Sequence, residues 1–140
     1  MSKYRAIPVL LIVTALLPVA QTAHAADKPT PGTFRGEHGL NGGLRLTFAH
    51  EKGIGVYLSR YTVSGELRCD GEPVIPLTYQ AMRVTARTAA KVRGKKRTFT
   101  YRAATLEITG RFVSAKRIAG TITGKASYCT QSAGFVAKLS

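Results

Sequence analysis

The chain is 140 residues long and carries 21 Lys and Arg against 7 Asp and Glu, a formal charge of +14, with 44% apolar residues. That apolar share excludes a disordered polyelectrolyte, and the length excludes a multidomain enzyme. The chain has material for one compact core.

Residues 1–25 place Lys3 and Arg5 ahead of an apolar run from Ala6 to Ala20, then the small-residue tripeptide Ala23, His24, Ala25. This is the tripartite shape of a secretory signal peptide, with cleavage expected after Ala25. The run is about 15 residues and contains Pro8 and Pro18, short of the roughly 20 apolar residues of a spanning helix. No later stretch could span a bilayer as a helix, so the mature protein is expected to be secreted or periplasmic. Losing Lys3 and Arg5 removes two of the cations, so the basic excess belongs to the domain.

Export changes how Cys69 and Cys129 are read. In an oxidising compartment the only two cysteines are expected to form one disulfide. A metal site has little support, because neither lies in a CxxC pair or beside a His.

The lead-in, residues 26–32, has two prolines and is expected to be extended. The domain proper is read over residues 33–140. Leu44, Leu46 and Phe48 alternate with Arg45, Thr47 and Ala49, and Asn41, Gly42 and Gly43 form a turn signal. Phe34 to His38 and Leu44 to His50 are therefore expected to form a hairpin. In the longest strand, Tyr61, Val63, Gly65, Leu67 and Cys69 share one face against Arg60, Thr62, Ser64, Glu66 and Arg68. Val74 to Tyr79, broken by Pro76, suits an edge strand. Met82 to Ala90 alternates and is read as another strand, although it is rich in Ala. A hairpin tip at Gly94 precedes Thr98 to Arg102, where Phe99 and Tyr101 face the core.

Thr105 to Val113, Arg117 to Tyr128 and Gly134 to Leu139 complete the pattern. Gly120 and Gly124 fall on the apolar face of the second of these, where a missing side chain allows bending or close approach. About eight strands with regular turns imply an all-β domain: an antiparallel β-sandwich or small β-barrel with one disulfide.

Gly32, Thr33, Phe34, Arg35 and Gly36, then Gly110, Arg111 and Phe112, then Gly120 to Gly124, Cys129, and Phe135, Val136 and Ala137 together resemble small secreted bacterial β-domains tied by a disulfide. The resemblance implies secretion and β architecture, and carries over no activity. One departure is the stretch from Arg83 to Arg102, which is more basic than the pattern demands.

Signatures of catalysis are absent: no GxSxG, HExxH, GxxxxGK[ST] or GxGxxG, and no Cys paired with a His. A small ribonuclease would need a general acid and base about one phosphate. His38 and His50 are the only histidines after the leader. The hairpin register sets His50 near Thr33, about 17 Å from His38, too far to share a phosphate. Both read as solvated surface residues, and a single His with Glu37, Glu51 or Glu66 is the remaining enzyme option. Glycoside hydrolysis would need two facing carboxylates, and Glu66 beside Arg68 reads instead as an ion-pair partner. No catalytic residue, cofactor or metal ligand is assigned.

One local anomaly remains. No acidic residue lies between Glu72 and Glu107, whereas Lys91, Arg93, Lys95, Lys96, Arg97 and Arg102 all do. Crowded around Gly94, these cations repel one another and call for an anionic partner. The expected function is a secreted, non-catalytic binding module for an anionic polymer, such as a cell-surface polysaccharide or nucleic acid, an anionic surface, or an acidic protein. The alternatives are an envelope structural or interaction protein whose charge only maintains solubility, and a secreted ribonuclease.

Overall fold

The computed structural model describes residues 28–70, 73–126 and 128–140, so the expected leader lies outside the described residues. Eight strands follow one another: β1 Gly32–His38, β2 Gly42–Glu51, β3 Gly55–Leu67, β4 Ile75–Arg83, β5 Thr98–Arg102, β6 Leu106–Ser114, β7 Arg117–Ala126 and β8 Cys129–Leu139. All pairings are antiparallel, in the order β4-β3-β2-β1-β8-β7-β6-β5. This is one sheet curled into a half-barrel, so of the two expected architectures the sandwich is excluded. No helix occurs among the described residues.

The alternation explains the curl. Phe34, Leu46, Phe48, Val63, Leu67, Phe99, Ile108, Phe112, Ile118 and Ile122 all project onto the concave side and are buried there. Four phenylalanines meet edge-on at its centre, with Phe48 5.0 Å from both Phe99 and Phe112, and Phe34 5.4 Å from Phe112. Such contacts add about 0.5–1.5 kcal/mol per pair beyond area burial. Gly120 and Gly124 lie on this face, as the alternation indicated. A Cβ on Gly124 would sit 2.6 Å from Leu67 Cδ2, so the missing side chain lets β3 close down on β7.

β4 and β5 are the sheet edges and do not pair with each other. One end of the seam is bridged by residues 90–93. There Leu58 N–H donates to Ala90 O and Val92 N–H to Val56 O, while Arg93 and Thr98 exchange both backbone bonds. Toward the other end the Tyr79 and Thr105 hydroxyls meet. The Cys69–Cys129 disulfide joins the chain just after β3 to the start of β8, with Cα atoms 6.1 Å apart. Beside it Arg68 N–H donates to Gln131 Oε1 at 2.7 Å.

Three expectations need correction. Met82 to Ala90 is not a strand: β4 runs on through Pro76 to Arg83, and 84–90 forms turns in which only Val84 and Ala90 are buried. The alternation misleads there because Ala81 adopts a left-handed φ of 47° at a bulge opposite Thr62. In the β1–β2 hairpin Thr33 pairs with Thr47, so His50 lies beyond Thr33 rather than opposite it. His38 is buried, not solvated: its Nδ1 accepts from Leu40 N–H at 3.1 Å and its Nε2 bonds Ser64 O at 2.7 Å. Both ring nitrogens are used within the fold, which sets the proton on Nε2.

Candidate anion-binding face

The convex face is built by the residues that alternate with the core. Its register brings together cations that are far apart in sequence. Arg45 of β2 pairs with Arg35 of β1, Arg35 with Lys138 of β8, and Lys138 with Arg117 of β7. Four cations thus stand side by side on four adjacent strands, all exposed. At about 4.8 Å between strands, the row is about 14 Å long. One step along, Arg60 of β3 pairs with Arg83 of β4. Like charges directly opposite one another destabilise a sheet, so this arrangement carries a standing cost in the free protein.

Between these groups the surface is concave. A cleft of about 630 Å³ is lined by Arg35, Arg45, Arg60, Arg83 and Arg87, with no acidic residue in its wall. Thr33, Thr47, Ser59 and Thr62 supply hydroxyls between the arginines. Two of those hydroxyls, on Thr33 and Thr47, bond each other at 3.1 Å, and Thr62 Oγ1 accepts from Ala81 N–H at 3.1 Å. Arg87 is held by Glu51 at 2.8 Å. Among the described residues Arg35, Arg45, Arg60 and Arg83 have no ion-pair partner. Glu37 lies two residues from Arg35 on β1 and is paired in register with Gly43 and Val136.

The basic segment singled out in the sequence is divided by the fold. Lys95 and Lys96 are exposed in the turn at Gly94, whose φ is 71°, and Arg93 and Arg97 flank that turn. Arg97 is half-buried, and its Nη1 is enclosed without a hydrogen-bond partner among the described residues. Lys91 pairs with Tyr57, which also lines the arginine cleft, so the base of the tip adjoins that cleft. Arg102 lies at the far end of β5, bonded to Glu107 at 3.0 Å, and is not part of the tip.

The groups considered for catalysis do not assemble. His38 is enclosed at one end of the β1–β2 hairpin, and His50 is exposed near the other, eight residues along β2 from Gly42, His38's partner, or about 26 Å. Glu51 and Glu66 are engaged by Arg87 and Arg68. Among the described residues no three His, Cys, Asp or Glu side chains cluster as a metal site would require. Sequence reading missed the cation row because each member looks like an ordinary polar position of its own strand. No family model, curated protein or solved structure matches the chain.

Proposed function

We propose that this protein is an exported, non-catalytic binding module for an anionic polymer or surface, held by the convex face and the adjoining basic tip. The observation that carries the reading is the in-register row Arg45, Arg35, Lys138 and Arg117, four cations kept in mutual repulsion without acidic partners among the described residues. A row of negative groups laid across the strands would relieve that repulsion at each step and release its own counterions. Lys95, Lys96 and Arg97 extend the surface at the adjoining turn. A disulfide and the signal-like residues 1–25 support a periplasmic or secreted setting.

Binding to a panel of polyanions across a salt series tests this. Each phosphate contact contributes about −0.7 to −0.9 to the slope of log affinity against log salt. Arg35→Ser, Arg45→Ser and Lys138→Ser together should therefore flatten the slope by about two or more. The Lys95→Ser, Lys96→Ser, Arg97→Ser variant should flatten it further. Variants that keep both the melting temperature and the original slope would mean the charge serves solubility alone.

A further inference from the structure

We propose that the cleft over β1–β4 is a site for closely spaced phosphoryl groups, with Arg35, Arg45, Arg60 and Arg83 as its oxyanion ligands. The inference rests on the convex face being a binding face and narrows what one part of that face takes.

Three features distinguish the cleft from the rest of the basic surface. Its cations are all arginines, whereas the neighbouring row and tip mix in lysines. A guanidinium presents a planar fork of donors that matches two oxygens of one anion, which an ammonium cannot do. The arginines also come as two facing pairs, Arg35 with Arg45 and Arg60 with Arg83, offset by two residues along the strands. Each pair can close on one group from both sides, and the offset leaves room for a second group beside the first. Finally, hydroxyls sit between the pairs. Thr62 Oγ1 already accepts from Ala81 N–H, so its own proton is free for a guest, and the Thr33 and Thr47 pair has one proton to spare.

Charge density favours phosphoryl over carboxyl groups. A carboxylate brings one charge and two oxygens, whereas a terminal phosphoryl group brings nearly two charges and three acceptor oxygens. Four guanidiniums without ion-pair partners among the described residues, in about 630 Å³, would need four separate carboxylates to neutralise them, but only two or three linked phosphoryl groups. Arg87, tied to Glu51, closes the wall of the cleft without adding a further uncompensated charge.

Calorimetric titration of the full chain at constant ionic strength tests the assignment, with inorganic tripolyphosphate as the probe and citrate as the carboxylate comparator. Tripolyphosphate should bind at least about tenfold tighter than citrate. Arg45→Gln with Arg60→Gln should weaken it about 100-fold, roughly tenfold for each lost charge-assisted pair. Arg45→Lys with Arg60→Lys keeps the charge and should still lose about tenfold, because the fork is gone. Lys116→Gln with Lys125→Gln removes the same charge elsewhere and should change affinity less than about twofold. Melting temperatures accompany each variant, and the single substitutions carry the test if the double glutamine variant does not fold.

Competition then sorts the source: displacement by ADP points to a free nucleotide, by long polyphosphate to a polymer, and by phosphatidate vesicles to a lipid headgroup. Equal binding of citrate and tripolyphosphate, or equal losses in the Lys116, Lys125 and Arg45, Arg60 variants, overturns the site. If long polyanions bind with the expected salt slope while tripolyphosphate does not, this inference fails and the polymer reading stands. If neither binds, both fail.

Discussion

Tyr61 shows how a single side chain ties the core to solution conditions. It is 2% exposed, with the Tyr101 ring 5.1 Å and the Tyr79 ring 6.1 Å away. Burial pushes its phenol well above the ordinary value of 10.0, and contact with Tyr101 and the charges that Tyr101 and Tyr79 would carry push it the same way. The folded state therefore keeps this proton at a pH where the unfolded chain releases it. Its contribution is intact below about pH 10 and is lost as pH rises from there through the folded value. Urea unfolding at a series of pH values from about 9 to 11 should show wild type losing stability faster than Tyr61→Phe, which has no phenol to ionise. Lysine titration affects both proteins alike, so parallel curves would mean that Tyr61 ionises in the folded state as readily as in the unfolded one.

At the scale of elements, the β2-β1-β8-β7 block carries a conflict between stability and the proposed binding. Arg35 stands directly opposite Arg45 on one side and Lys138 on the other. Replacing it with Thr, a good strand former, removes two like-charge pairs while keeping the backbone ladder. Arg35→Thr should therefore stabilise the free protein by about 0.5 kcal/mol at low salt, with the gain fading as salt screens the row. The same change should weaken polyanion binding. Thermal melts at low and high salt beside a binding assay check this, and a destabilised variant at low salt would show that Arg35 makes a favourable contact the row does not reveal.

The strands of this block were legible from alternation, and the hairpin turn from Asn41, Gly42 and Gly43. Register was not. Nothing in the residues before Leu44 or after Phe135 says that Arg35 will face Arg45 and Lys138, because neighbour identity depends on which residues the turns leave unpaired. The error at Met82 to Ala90 has a similar origin: a bulge at Ala81 breaks the two-residue period, and beyond it only isolated side chains return to the core. The basic tip was legible because its cations are consecutive. The arginine cleft was not, because its cations come from four segments of chain.

Across the whole molecule, the sheet is open between β4 and β5 and depends on ties that cross it. The disulfide is the covalent one, closing a separation of 60 residues between Cys69 and Cys129. Chain entropy assigns a loop of that size about 4 kcal/mol, a large share of the stability of a domain this small. Leu67 over Gly124 and Gln131 on Arg68 hold the same junction without it, so the native arrangement does not require the bond. Cys69→Ala with Cys129→Ala should lower unfolding free energy by about 3–4 kcal/mol while the fold survives. The cation row crosses β7 and β8 at Arg117 and Lys138, the opposite end of that ladder from Cys129, so polyanion affinity should be unchanged wherever the variant is folded. Denaturant unfolding and binding measured on the same sample separate the two properties. A folded variant that no longer binds would mean that the disulfide sets the curvature on which the convex face depends, and not only the stability of the chain.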